Sequence, residues 1–183
     1  MTNKDSVPEL DAETIVATLN KFGVKYVVIG AFAAQLQGAP IPRTRDIDVT
    51  PATDAANLKR LSDALHELQT RVRTINVPEG LPFEHDGPSL RQARTWNLTS
   101  PFGEFDISFV PSGTEGYDDL ARQALIVESH GESVPVADLD DVIRSKEAAG
   151  RPKDIMQLPI LIQTARRRRL ERAGHDPGLD IGF

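Results

Sequence analysis

Apolar residues recur at three- and four-residue steps from Ile15 through Leu19 to Phe22. This period predicts an amphipathic helix over 11–22, with Asp11 as its N-cap and Gly23 as its stop. A Val- and Tyr-rich run at 25–29 predicts a strand. Gly30 then opens a short helix of small residues at 31–37, and Gly38, Pro40 and Pro42 enforce a loop. A second strand is expected at 46–50. Leu58, Leu61, Leu65 and Leu68 share one face of a long helix running from Asp54 through Gln69.

The second half reads in the same way. Residues 71–77 predict a strand, and the Pro- and Gly-rich stretch 78–88 predicts a loop. Alternation on both sides of Pro101-Phe102-Gly103 predicts a hairpin with arms at 95–100 and 104–110. A helix is expected at 117–124, then a shorter hairpin with arms at 125–129 and 133–136 turning at His130-Gly131-Glu132. A helix over 138–149 ends at Gly150. Pro152 sits where a first-turn proline is tolerated and opens a helix to about Arg172. Residues 173–183 read as a loose tail. No internal repeat interrupts this α/β order.

Composition narrows the classes. At 183 residues the chain has the length of one domain. It contains no cysteine, which excludes a disulfide framework, a thiolate metal site and a cysteine nucleophile. No apolar run approaches a membrane span, and MTNKDSVPEL has no secretory core, so a cytoplasmic protein with no membrane partner is expected. The net charge is −6, yet 144–172 holds nine basic residues against three acidic ones. An acidic body with a basic C-terminal end suggests a polyanion met from one side, or simply a solvated helix face.

Candidate chemistry centres on Asp46-Ile47-Asp48. On a strand, residues i and i+2 share a face, so the two carboxylates lie side by side, about 6.5–7 Å apart at Cα. Like charges so placed repel unless a cation joins them, and a hard divalent ion with oxygen ligands does this. Asp106 shares a strand face with Glu104 and Ser108, opposite Phe105, Ile107 and Phe109. A second strand can bring Asp106 beside the pair and complete a two-metal clamp. Gly30, directly after a strand, allows close approach of a phosphate to the backbone. Arg43, Thr44 and Arg45 offer two cations and a hydroxyl ahead of the carboxylates. Lys146 and Asp154 flank a helix–helix corner, where a lysine can neutralise a triphosphate and an aspartate can fix that lysine or Arg151. Each feature alone also has an ordinary structural reading: a surface D-x-D, a solvent-facing strand acid, solvated loop arginines, a corner held by ion pairs.

Together the pattern resembles the nucleotidyltransferase superfamily with the polymerase-β-like palm. It consists of strand–Gly–helix, then Arg-Thr-Arg-Asp-Ile-Asp-Val at 43–49, a third aspartate on a strand, and Lys146 with Asp154. Within the superfamily, Lys-Glu-Ala-Ala-Gly-Arg-Pro-Lys-Asp at 146–154 is similar to the AbiEii/MenT-type toxins of bacterial toxin–antitoxin systems. The resemblance covers about 25–158. It implies a small mixed palm sheet flanked by helices, with C-terminal helices, in one domain over 1–172. The palm core would lie at about 24–136 and the helical part at 137–172.

The resemblance also implies a set of roles. Asp46, Asp48 and Asp106 would be metal ligands for Mg²⁺ or Mn²⁺. Lys146 and Asp154 would be further active-site residues, and an NTP would meet Gly30, Ala31, Arg43, Thr44, Arg45 and Lys146. For the toxin type it implies transfer of a nucleoside monophosphate, from CTP or UTP, to the 3′ end of tRNA. That would block translation and be held in check by an antitoxin. Arg166, Arg167, Arg168 and Arg169 would then hold the RNA backbone or dock an acidic antitoxin. Thr44 matches the hydroxyl residue whose phosphorylation silences some such toxins. A small-molecule, antibiotic-type nucleotidyltransferase and a non-catalytic nucleotide-binding palm remain the alternatives. The chain departs from the usual Gly-Gly or Gly-Ser by carrying Gly30-Ala31, which removes one hydroxyl but keeps the backbone N–H groups.

Overall fold

Among the described residues, fifteen elements build one layer of sheet with helices packed on it. The computed structural model describes residues 8–174; the remainder of the expected tail, 175–183, lies outside them. Helix α1 (Ala12–Lys21) starts where Asp11 accepts a bond from the Thr14 N–H at 3.0 Å. That bond satisfies a backbone donor left free at the helix start. Strand β1 (Tyr26–Ile29) is buried throughout and runs directly into the seven-residue helix α2 (Gly30–Leu36). Strand β2 (Asp46–Pro51) returns antiparallel to β1, with Ile29 opposite Asp48. Helix α3 (Ala55–Glu67) follows, capped by Asp54 and burying Leu58, Leu61 and Leu65.

The next segment departs from expectation. Strand β3 stops early (Arg71–Thr74), and a strand β4 (Val77–Pro82) occupies the stretch that composition assigns to a loop. Only tertiary pairing explains it. Strand β4 pairs antiparallel with β3, and the Arg71 guanidinium donates to the carbonyls of Glu79 and Gly80 at 2.8 Å each. As an edge strand, β4 tolerates the proline at its end. A 3-10 turn (Pro88–Gln92) leads to β5 (Thr95–Ser100) and β6 (Gly103–Ser108), the expected hairpin.

Helix α4 (Tyr117–Ala121) is shorter than the pattern suggests. The second hairpin forms as β7 (Leu125–Ser129) and β8 (Glu132–Val136). Helix α5 (Leu139–Ala149) begins at the Asp138 cap and ends on Gly150 in the left-handed region, where glycine carries no Cβ penalty. Helix α6 (Pro152–Gly174) completes the described chain and continues through Pro159.

Among the described residues, eight strands form one mixed sheet in the order β4-β3-β5-β6-β2-β1-β8-β7, the helix-flanked mixed sheet expected. Strands β2 and β6 are parallel neighbours, as are β1 and β8. The register places Asp48 opposite Asp106, and Asp46 opposite Glu104. Burial alternates along β6, so Phe105 and Ile107 enter the core while Glu104, Asp106 and Ser108 face the other side. The core is continuous from Ile15 and Leu19 of α1 through Val28, Ile47 and Phe105 to Leu61 and Leu65 of α3. Helix α2 packs on β1, β2 and α5, and α5 packs on α6. Among the described residues no helix is long and apolar enough to cross a membrane.

Candidate active site

The alternation that buries Ile47 and Val49 necessarily turns Asp46 and Asp48 to the opposite face of β2. The same argument turns Asp106 out of β6. Because β2 and β6 are adjacent and parallel, the three carboxylates occupy one patch, with Asp48 and Asp106 in register. They open into a cleft of about 550 Å³ that also presents Gly30, Ala31, Arg43, Thr44, Lys146 and Asp154. Sequence separations of up to 124 positions, from Gly30 to Asp154, are thus closed by the sheet and the α5–α6 corner. Arg45 does not line this cleft; it is exposed beside it.

Charge density in the patch is high. Burial, then the neighbouring Asp46 and Asp106, push the Asp48 carboxyl up to about 7, against the pull of Lys146 and Arg151. Burial also raises Asp106, with Arg73 opposing. Thr44 Oγ1 donates to Asp46 Oδ1 at 2.7 Å and fixes that carboxylate from the loop side. Gly30 stands at φ +77°, and a Cβ there would run into Asp48 Oδ2. Its glycine is therefore required by the backbone and by the close approach of Asp48, as well as by any phosphate it meets.

The α5–α6 corner holds its lysine rigidly. Lys146 Nζ donates to Asp154 Oδ1 at 2.8 Å, and Arg151 Nε donates to Asp154 Oδ2 at 2.6 Å. The Asp154 side chain is fully buried and that of Lys146 is 9% exposed. Burial alone would raise the Asp154 carboxyl, but the bonds from Lys146 and Arg151 outweigh it and hold it below the usual range.

Arg73, which sequence reasoning passes over, reaches the patch from β3. It donates to Glu104 and, through Nη2, to both oxygens of Asp106 at 2.9 and 3.1 Å. No local signal marks it, since only the order β3-β5-β6 brings it within reach. Asn97, Ser108, Ser145 and Gln157 also line the cleft and carry no motif in the sequence.

The basic run lies apart from this patch. On α6, Arg167 donates to the Gly38 carbonyl at 3.3 Å and Arg168 to the Gln37 carbonyl at 2.9 Å, and Arg169 pairs with Asp140 at 3.3 Å. Part of the run therefore ties α6 to the body, and Arg166 is exposed.

The donor set suits a hard divalent cation: three carboxylates on neighbouring strands, one of them raised first by burial and then by the other two, a repulsion that a cation would relieve. As the side chains stand, no group of three ligating residues among the described ones is closed around a common point. Arg73 engages both oxygens of Asp106.

Comparison with known proteins bears on the fold. A sequence model of aminoglycoside-2''-adenylyltransferases matches residues 12–92, under half of the chain, a stretch that includes Gly30, Asp46 and Asp48. No curated protein matches the chain in sequence. Among solved structures, the lincosamide antibiotic adenylyltransferase LnuA, lincomycin-bound, superposes with a TM-score of 0.57 at 12% identity, covering 85% of this chain and 99% of that one. The chain has the nucleotidyltransferase fold. ANT(2'')-Ia in complex with adenylyl-2''-tobramycin gives a TM-score of 0.53 at 15% identity, covering 89% of this chain and 93% of that one. A candidate nucleotidyltransferase from Thermotoga maritima gives 0.51 at 20% identity, covering 85% and 96%. The solved structures show the fold that the motifs imply, and the sequence model matches only the first half of the chain. The sequence model, LnuA and ANT(2'')-Ia are named for adenylyl transfer to antibiotics, and none of these three is named as a toxin of the AbiEii/MenT type.

Proposed function

We propose that the chain, acting as one domain, transfers a nucleoside monophosphate from an NTP to a hydroxyl of a small, antibiotic-type acceptor and releases pyrophosphate. The observation that carries this reading is the convergence of Asp46, Asp48 and Asp106 from two parallel strands on a cleft that also holds Lys146. The similarity to aminoglycoside and lincosamide adenylyltransferases directs the choice of acceptor, and makes ATP the first donor to test ahead of CTP and UTP.

In this reading Asp46, Asp48 and Asp106 hold the divalent ion. Bound there, Mg²⁺ or Mn²⁺ supplies charge neutralisation of the triphosphate and lowers the pKa of the acceptor hydroxyl. The backbone N–H groups at Gly30 and Ala31 receive phosphate oxygens. Lys146, oriented by Asp154, sets a point charge against the developing negative charge of the leaving pyrophosphate. Arg43 and Thr44 on the rim, with Arg45 beside it, meet the outer phosphates.

A second reading keeps the 3′ end of tRNA as acceptor, an antitoxin as partner and Thr44 as the silencing position. Exposed Arg166 and the Thr44–Asp46 contact favour it: a phosphate on Thr44 would bring about −1.5 to −2 charges against the carboxylate patch. The bonds of Arg167, Arg168 and Arg169 within the body weigh against it.

One experiment separates these. The protein is incubated with Mg²⁺ and each labelled NTP, beside a panel of aminoglycosides and lincosamides or beside total tRNA. Label in a drug product, lost by about 10²-fold or more in Asp48→Asn, is the expected result. Label in RNA overturns the first reading in favour of the second. Absence of transfer to either, with nucleotide still bound, leaves the non-catalytic palm.

A further inference from the structure

Arg73 occupies a position that an ordinary surface arginine does not. It sits on β3, with β5 between it and β6, and its guanidinium spans two acids of β6. One arm is on Glu104; the other takes both oxygens of Asp106 at 2.9 and 3.1 Å. All three side chains are largely withdrawn from solvent, at 27% exposure for Arg73, 17% for Glu104 and 16% for Asp106. A charge-assisted pair so placed is screened far less than a surface ion pair.

We infer that Arg73 is a positioning residue that acts through Asp106, a resident cation that holds the third carboxylate until a divalent ion takes it over. The inference rests on the reading of Asp46, Asp48 and Asp106 as a metal-binding patch. A carboxylate whose two oxygens already accept from a guanidinium must give up at least one bond to ligate an ion. An incoming dication also meets the repulsion of a fixed positive charge about 3 Å from the same oxygens.

Glu104 makes the exchange feasible. It keeps one arm of the fork, so Arg73 loses only half of its partners when Asp106 turns to the ion. In the register Glu104 stands opposite Asp46, so the released guanidinium stays at the edge of the patch. Cation binding is therefore weak in the empty protein. It strengthens when a triphosphate adds negative charge, which ties the ion to the arrival of its nucleotide.

The test is a titration of the metal-free full-length protein with Mn²⁺ alone, without nucleotide, following the free ion by electron paramagnetic resonance. Arg73→Met is expected to bind Mn²⁺ about tenfold or more tightly than the wild type. Arg73→Lys is expected to gain less, because one ammonium cannot fork across both acids. A folded Arg73→Met with unchanged or weaker affinity overturns the inference. If that variant does not fold, with two acids left unpaired, Arg73→Lys decides, and wild-type affinity there overturns it. Asp46→Asn, placed in both wild-type and Arg73→Met backgrounds, separates the two readings. Loss of Mn²⁺ binding in Asp46→Asn, with no gain in the Arg73 variants, removes the latch and leaves the metal patch. Unchanged Mn²⁺ binding in Asp46→Asn removes the patch, and the latch with it.

Discussion

At the scale of single residues, the patch depends on a missing Cβ as much as on the acids around it. Gly30 is left-handed, and its Cα faces Asp48 so closely that any side chain collides with the carboxylate. Gly30→Ala therefore carries about 1–2 kcal/mol of backbone strain and also displaces Asp48. The expected outcome is a folded but weakened protein whose transferase activity falls at least about tenfold, far more than a shift of 1–2 kcal/mol in stability would remove. Urea melts beside transfer assays check this. Near wild-type activity in a folded Gly30→Ala would mean that Asp48 does not need its position. Ala31, the departure from the superfamily pattern, follows it on α2 and lines the same cleft.

At the scale of elements, the corner between α5 and α6 is the part most sensitive to a single change. The αL Gly150 ends α5, Pro152 starts α6, and the turn between them buries Asp154 against Lys146. Removing one partner of a buried pair leaves an uncompensated charge, which costs about 3–5 kcal/mol. Asp154→Ala is accordingly expected to lower unfolding stability by that order. The double variant Lys146→Met/Asp154→Leu should recover much of the loss while remaining inactive. Denaturant melts of the two proteins make the comparison. A double variant no more stable than Asp154→Ala would show that the corner is held by something other than this pair. The exposed ion pairs of α6, such as Arg167–Glu171 at 3.7 Å, contribute little by comparison.

For the whole molecule, pH acts through groups that pull in opposite directions. His85 stacks on His66 at 4.1 Å and meets Ser62 Oγ through Nδ1 at 2.8 Å, clamping the segment after β4 onto α3. Burial, and then His66, hold it down at about 4 against the ordinary 6.5, with Asp86 opposing. The unfolded chain therefore takes the proton first. The contribution of a neutral His85 is complete above about pH 6.5 and is lost as pH falls from there to about 4. The raised acids Asp48 and Asp106 run the other way, because the folded state binds their protons more readily. The informative quantity is thus the stability of the wild type minus that of His85→Gln. This difference is expected to shrink between about pH 7.5 and about pH 4.5 in urea melts. Parallel curves for the two proteins would contradict the assignment.

Periodicity alone determined most of the elements, because burial of one helix stripe or one strand face writes itself into local spacing. Asp46, Asp48, Asp106, Lys146 and Asp154 were legible for the same reason: acids on the polar face of an apolar strand, and a lysine and an aspartate flanking a Gly-Pro corner, are local signals. Their meeting was not local. It took the parallel pairing of β2 with β6, which no spacing encodes, to set Asp48 beside Asp106. Strand β4 escaped detection because its Pro- and Gly-rich composition favours a loop, and only the edge offered by β3 pays for the pairing. Arg73 escaped because its partners lie more than 30 positions away. The basic run was visible as charge, but its bonds to Gly38, Gln37 and Asp140 arise only when α6 packs on α5 and reaches the turn after α2. The sequence determined which residues are candidates for the chemistry. Long-range strand order and helix docking decided which of them stand together, since contacts between distant segments depend on how buried surfaces fit in space.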